Sequence, residues 1–251
     1  MRYWIPEQEV GVNKMSERII GILGGMGPEA TLALYQRILS FTPVRRDQEH
    51  VHVLIDSNPK IPDRTVAILQ GGESPLPMMI EGARNLERAG ADFLVIPCNT
   101  AHHWLTELRD TLSIPVIDMI GETASLIAAH RPPLRRIGLL ATAGTLHTDL
   151  YQNALRKEGV EVLTPSTKEE HQIMDAIHRI KAGDHTVKDD VVAVAHRLMD
   201  EGAEGIILGC TELSLVVEEG DLTCPLFDPL SILARLAVQR AREINPQDRD
   251  V

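Results

Sequence analysis

Short apolar runs rich in Ile, Val and Leu recur along the chain at residues 19–23, 51–55, 93–96, 116–117, 137–140, 160–163, 206–208 and 226–227. They are continuous rather than alternating, which suits strands of a parallel sheet buried on both faces. Helical periodicity fills the gaps. The first helix opens on Pro28, a residue suited to the first helical position, and continues through Leu32, Leu34, Tyr35, Ile38 and Leu39. Further helices are predicted at about 76–89, 101–112, 145–158, 169–182, 187–201 and 229–243. Strands alternating with helices predict an α/β fold with parallel sheets flanked by helices.

The pattern repeats. Gly90-Ala91-Asp92-Phe93-Leu94-Val95-Ile96-Pro97-Cys98-Asn99-Thr100 is answered by Gly202-Ala203-Glu204-Gly205-Ile206-Ile207-Leu208-Gly209-Cys210-Thr211-Glu212. Upstream, Ile20-Gly21-Ile22-Leu23-Gly24-Gly25 is answered by Ile137-Gly138-Leu139-Leu140-Ala141-Thr142. Downstream, Ile114-Pro115-Val116-Ile117-Asp118 is answered by Cys224-Pro225-Leu226-Phe227-Asp228. A unit this long is not a solenoid repeat and predicts two similar domains related by pseudo-twofold duplication. The expected division is 18–119 plus 225–251 for the first domain and 120–224 for the second, with residues 1–17 as an extension. The helix after Asp118 begins the second domain, and the last helix packs back on the first. Ligands of open α/β sheets sit beyond the carboxyl ends of the strands. Cys98 and Cys210 both occupy that position, so facing domains would set one thiol on each wall of a cleft.

Composition narrows the ligand. The 251 residues carry 25 Lys and Arg against 36 Asp and Glu, a formal charge of −11. That disfavours nucleic acid and anionic membrane as partners, since both need a basic surface. Aromatic residues are 3% of the chain, too few for a base-stacking platform. Trp4, Pro6, Glu7 and Glu9 stand where a secretory leader needs an apolar core, and no run approaches the length of a membrane span, so a cytoplasmic location is expected. Three cysteines, an odd number in a reducing compartment, argue against a disulfide framework, and with no C-x-x-C they do not form a zinc site by themselves.

Two opposed thiols suggest disulfide exchange, metal binding, or proton transfer at the two faces of one carbon. The missing C-x-x-C weighs against the first, and the lack of further ligands against the second. His50-x-His52 has strand spacing but no third ligand, so no metal is expected. Inversion of a stereocentre needs one thiolate to remove the α-proton and one thiol to deliver another. A free Cys, with pKa about 8.5, is mostly protonated at neutral pH, and helix N-termini after Cys98 and Cys210 are expected to lower that value. Cys224 answers Ile114 and reads as structural. Gly24-Gly25-Met26-Gly27-Pro28 follows a strand and opens a helix. With Pro28 in the turn and no ribose-binding acid, it reads as a turn offering backbone N–H groups to a small carboxylate rather than as a dinucleotide site. Asn58-Pro59-Lys60-Ile61-Pro62-Asp63-Arg64 lies at the same sheet end, with Arg64 as a candidate carboxylate clamp. His102 and His103 lie one turn past Cys98, placed to tune it, one of them exposed.

These residues carry a resemblance. Gly24-Gly25-Met26-Gly27-Pro28-x-Ala30-Thr31, Arg46-Asp47-Gln48-Glu49-His50, Ile61-Pro62-Asp63-Arg64, Pro97-Cys98-Asn99-Thr100-Ala101-His102 and Gly209-Cys210-Thr211-Glu212 resemble the aspartate racemase branch of the aspartate/glutamate racemase superfamily. The resemblance runs from about Ile19 to the last helix. It implies a two-domain, cofactor-independent racemase, a homodimer, acting on L- and D-aspartate. Cys98 and Cys210 match the catalytic pair, with Cys210 taking the proton from the L-enantiomer and Cys98 from the D-enantiomer. Arg64 and Lys181 match substrate-binding cations, and Asn99, Thr100 and Thr211 match positions around the substrate carboxylate and amino group. Met26 and Asn58 join the substrate-binding set. Glutamate racemases carry an acid and a serine in the first glycine loop and a His after the second Cys-Thr; Met26 and Glu212 stand here instead, which favours aspartate. The alternatives are a broad-specificity aspartate/glutamate racemase, another superfamily activity such as a hydantoin racemase, maleate isomerase or decarboxylase, a non-catalytic binding protein for acidic amino acids, and a redox protein.

Overall fold

The structure is a computed structural model, and it describes residues 17–243. Two parallel sheets organise the chain. The first is built from β1 (Ile20–Gly24), β2 (Val53–Ser57) and β3 (Phe93–Val95) in the order β2-β1-β3. The second contains β4 (Arg136–Ala141), β5 (Glu161–Leu163), β6 (Ile206–Gly209) and β7 (Leu226–Phe227) in the order β5-β4-β6-β7. Val116 makes a single parallel bridge to Leu94, so the expected strand at 116–117 is reduced to one pairing at the place β7 takes beside β6. The internal repeat therefore corresponds to one topology used twice. β1, β3, β4 and β6 are buried along nearly their whole length, as their unbroken apolar runs require. β2 is an edge strand with Ile55 exposed.

Ten α-helices are described: α1 (Pro28–Phe41), α2 (Arg64–Gln70), α3 (Leu76–Arg88), α4 (Leu105–Arg109), α5 (Met119–Ala128), α6 (Ala143–His147), α7 (Leu150–Lys157), α8 (Thr167–Lys181), α9 (Lys188–Asp200) and α10 (Pro229–Arg242). α1 and α10 begin with Pro in the first turn, and Asp118 and Asp228 cap α5 and α10 at repeated positions by accepting backbone N–H groups. α8 opens with a capping box between Ser166 and Glu169.

Two helical expectations need correction, and one helix adds to them. The stretch 101–112 divides into a 3-10 turn, Thr100–Trp104, followed by the short α4. The stretch 145–158 breaks at Asp149, whose positive φ of 52° ends one helix and starts the next as α6 and α7. α2 was not anticipated; its seven residues hold too little apolar periodicity to register, and Gly71 in the left-handed region stops it.

α10 packs its buried Leu230, Leu233, Ala234 and Ala237 against Leu34 and Ile38 of α1 and against β1 and β3. α5 packs Ile120, Ala124 and Ile127 on Ile137 and Leu139 of β4. The helix after each X-Pro segment thus crosses to the other sheet, which places the carboxyl ends of both sheets along one shared seam. Residues 1–16 of the expected extension lie outside the described residues, as does the tail from 244. Among the described residues no helix is long and apolar enough to cross a membrane, and no group of His, Cys, Asp and Glu is arranged to hold a metal ion.

Candidate active site

Cys98 and Cys210 lie just past β3 and β6, the strands beside the first strand of each sheet. Both are buried, at 6% and 5% exposure. The two loops touch: the Thr211 hydroxyl donates to the Pro97 carbonyl at 3.2 Å. Thr211 and Pro97 each adjoin a cysteine, so this bond ties the two walls together at the thiols.

The first wall is held from behind. Met119 N–H donates to Nε2 of His102 at 3.2 Å, which leaves the ring proton on Nδ1, 2.8 Å from the Cys98 carbonyl. Burial holds the His102 pKa below its ordinary value, against the hydrogen bond to Cys98, so the ring is neutral at neutral pH. His102 therefore fixes the Cys98 backbone rather than the thiol, and His103 is the exposed one of the pair. Asn99, 2% exposed, accepts the Tyr151 hydroxyl proton on Oδ1 at 2.6 Å, while its Nδ2 is buried with no partner among the described residues. Thr100 Oγ1 lies 2.9 Å from both Thr142 Oγ1 and Thr145 Oγ1, a three-hydroxyl cluster across the seam.

The second wall corrects an expectation. No regular helix N-terminus follows Cys210, only the 3-10 turn Leu213–Leu215, and Cys98 is likewise followed by 3-10 backbone. The Cys210 thiol instead donates to Oε2 of Glu212 at 3.0 Å. Burial pushes the Cys210 pKa well up, the Glu212 carboxylate adds to that, and Lys181 opposes it. Cys210 is a protonated thiol hydrogen-bonded to a carboxylate that is itself only 3% exposed.

Lys181, in the last turn of α8, faces this pair although the residue as a whole is exposed. Burial of its ammonium would lower the Lys181 pKa, but Glu212, Cys210 and Cys98 outweigh that, against Arg64, and hold it above its ordinary value. Arg64 is buried and donates from Nη1 to the Ile61 and Pro62 carbonyls and from Nη2 to the Met26 carbonyl, while Nε is unpaired among the described residues. Much of its guanidinium thus fastens the loop after β2 to the glycine turn after β1.

Two adjoining spaces result. The inner one, about 10 Å³, is lined by Met26, Cys98, Asn99, Thr100, Cys210 and Thr211, with Thr65 and Thr142 at its edge. The outer one, about 450 Å³, is lined by Gly25, Gly27, Glu29, Pro59 and Ile61. Asp63, Arg64, Lys181 and Glu212 belong to both and stand between them. Of the residues singled out from the sequence, Cys98, Cys210, Asn99, Thr100, Thr211, Met26, Arg64 and Lys181 come together here. Asn58 does not bring its side chain: Oδ1 accepts the Lys60 N–H at 3.0 Å, and the Asn58 backbone packs under Gly25. Sequence reasoning treated Glu212 only as a mark of substrate preference, and it passed over Thr145 and Tyr151. Thr142 was readable in principle, because it answers Gly25 in the repeat.

The glycine turn is tightly determined. Gly25 has φ of 88°, and a Cβ there would fall 2.3 Å from the Asn58 carbonyl carbon. Thr31 closes the turn, with Oγ1 accepting the Gly25 N–H at 2.9 Å and donating to the Gly27 carbonyl at 2.9 Å. Gly25→Ala is expected to cost at least about 2 kcal/mol in left-handed strain plus displacement of the Asn58 loop, lowering Tm by roughly 5 °C. Scanning calorimetry checks this; an unchanged Tm contradicts the packing described.

The chain is similar to known proteins over most of its length. The Asp/Glu/hydantoin racemase family profile matches residues 23–237. The broad specificity amino-acid racemase RacX of Bacillus subtilis is 28% identical over 228 residues, covering 88% of this chain and 96% of that protein. The aspartate racemase of Picrophilus torridus superposes with a TM-score of 0.82 at 28% identity, covering 92% of this chain and 98% of that one. An aspartate racemase homologue from Pyrococcus horikoshii OT3 gives a TM-score of 0.73 at 28% identity, with 90% and 100% covered.

Proposed function

The chain belongs to the Asp/Glu/hydantoin racemase family and is a racemase, and from that premise we propose that it interconverts L- and D-aspartate by a two-base mechanism on Cys98 and Cys210. The observation that carries the reading is two buried thiols at equivalent strand ends, joined across the seam by the Thr211–Pro97 hydrogen bond. A substrate Cα between them meets one sulfur on each face. From L-aspartate, Cys210 as thiolate removes the α-proton and the Cys98 thiol delivers a proton to the opposite face; the reverse reaction exchanges the roles. Glu212 is the group to which the Cys210 proton passes before substrate is attacked.

Removing an α-proton builds charge on the substrate carboxylate. The unpaired Nδ2–H groups of Asn99 and the hydroxyl of Thr100 are donors suited to that charge, while the Thr211 hydroxyl donates its proton to the Pro97 carbonyl. Lys181 and Arg64 are the cations for the distal carboxylate, and they answer the acidic charge of the whole chain. An inner space of about 10 Å³ has room for about one water molecule and none for an amino acid. Substrate therefore enters through the outer space as the wall of Asp63, Arg64, Lys181 and Glu212 moves, and closure excludes water from the carbanion. The same reading takes 18–119 plus 225–251 and 120–224 as the two domains, a homodimer as the assembly and the cytoplasm as the location.

A broader substrate range is the second reading, and the charge of the cleft favours it. Glu29, Asp63 and Glu212 line the outer space against Arg64 and Lys181, so a neutral amino acid meets no excess positive charge. Incubation with L-aspartate, L-glutamate and neutral L-amino acids in turn, followed by chiral chromatography, tests both. The first reading expects D-aspartate to form fastest. Faster inversion of a neutral amino acid establishes the second, and no inversion of any contradicts both.

A further inference from the structure

We propose that Tyr151 is a positioning residue for the reaction, acting through Asn99. The inference rests on the racemase reading above and extends it to a side chain that never meets substrate. Tyr151 is fully buried on α7 in the core of the second sheet, among Ile120, Ala124, Ile137, Leu139 and Phe227. Its hydroxyl nevertheless reaches Asn99, next to Cys98 beyond the first sheet, and donates to Oδ1 at 2.6 Å. Asn99 Nδ2 is equally buried and has no partner among the described residues, and Asn99 lines the inner space between the cysteines.

An amide has two ends that differ only in hydrogen-bonding character. A phenol hydroxyl can pair with either end, and here it donates to Oδ1. With Tyr151 donating to Oδ1, the amide presents its N–H pair, rather than its carbonyl, to the inner space. A substrate carboxylate requires that orientation, because a carbonyl turned toward it would repel the charge that grows as the α-proton leaves. Burial raises the Tyr151 pKa well above its ordinary value, so the hydroxyl keeps its proton and remains a donor over the pH range in which thiols work. The anchor also spans the seam, so the first wall is set correctly only when α7 is in place against it.

The test is a double-mutant cycle on kcat/KM with Tyr151→Phe, Asn99→Ala and the double variant, with wild-type turnover on the same substrate as reference. Tyr151→Phe is expected to lower kcat/KM by about ten- to a hundredfold, most of it in kcat because the contact strengthens as charge develops. In the Asn99→Ala background the same substitution is expected to add nothing. 4-Aminophenylalanine at position 151 keeps a donor at the same place and should restore turnover, and this variant carries the test if Tyr151→Phe does not fold. The proposal is overturned if losses at the two positions multiply, if Tyr151→Phe turns over like wild type, or if the 4-amino variant is as impaired as Phe. Absence of turnover in wild type would instead overturn the racemase reading on which this rests.

Discussion

Cys98→Ala and Cys210→Ala are each expected to reduce racemisation of aspartate by roughly 10³- to 10⁴-fold while leaving the fold intact. The two-base reading makes the thiols unequal in state but equal in necessity. Without Cys210 no group takes the proton from one face, and without Cys98 none returns it on the other. Both side chains are small and lie at strand ends facing the inner space, so loss of one sulfur creates a minor cavity and a small stability cost. Chiral chromatography measures the rates, with circular dichroism to confirm folding. Equal loss in both directions is required, because the two enantiomers are of equal energy and kcat/KM must match. A variant retaining a tenth or more of wild-type turnover would contradict the role of its cysteine.

Glu212→Gln separates two effects that oppose each other. Burial raises the Cys210 pKa first, and the Glu212 charge raises it further. Removing that charge therefore makes the thiolate easier to form, and taken alone it would raise activity near neutral pH. Glu212 is also the only carboxylate among the described residues hydrogen-bonded to either catalytic thiol, and a positioned acceptor is worth about 10²- to 10⁴-fold. The acceptor should dominate. The variant is expected to racemise at least about a hundredfold more slowly, yet its Cys210 should be alkylated by iodoacetamide faster than in wild type. In wild type, kcat/KM should stay flat across neutral pH, because passing the Cys210 proton to Glu212 changes no net protonation, whereas in Glu212→Gln it should rise with pH, because a thiol whose pKa burial raises must then lose its proton to solvent. Faster racemisation by Glu212→Gln would mean that the carboxylate only restrains the thiol and accepts nothing.

The strand scaffold was legible because both sheets are parallel and buried, and such strands write themselves as unbroken Ile, Val and Leu runs. The duplicated Gly-Ala-acid approach to each cysteine then located both thiols without reference to any relative. What the sequence hid is short or non-local. α2 spans less than two turns of helix, the break at Asp149 depends on one left-handed residue, and the 3-10 turns after each cysteine look helical by composition. The contacts of Glu212 with Cys210 and of Tyr151 with Asn99 are properties of folded geometry. The second joins positions 52 residues apart in sequence, and no spacing rule links them. Arg64 lines the cleft, and its hydrogen bonds to three backbone carbonyls show that it also builds the turn beside it, a role that no sequence pattern displays.

The central claim, opposed thiols on the two faces of one carbon, is tested most directly by isotope transfer in a single experiment. L-Aspartate with protium at Cα is converted in D₂O, and early in the reaction the deuterium content at Cα of each enantiomer is measured by mass spectrometry after chiral separation. Two bases predict D-aspartate carrying deuterium, delivered by a thiol equilibrated with solvent, while the remaining L-aspartate still carries protium. Product that keeps the substrate proton, or an L-aspartate pool that gains deuterium as fast as the product forms, would mean that one base serves both faces and would contradict the account.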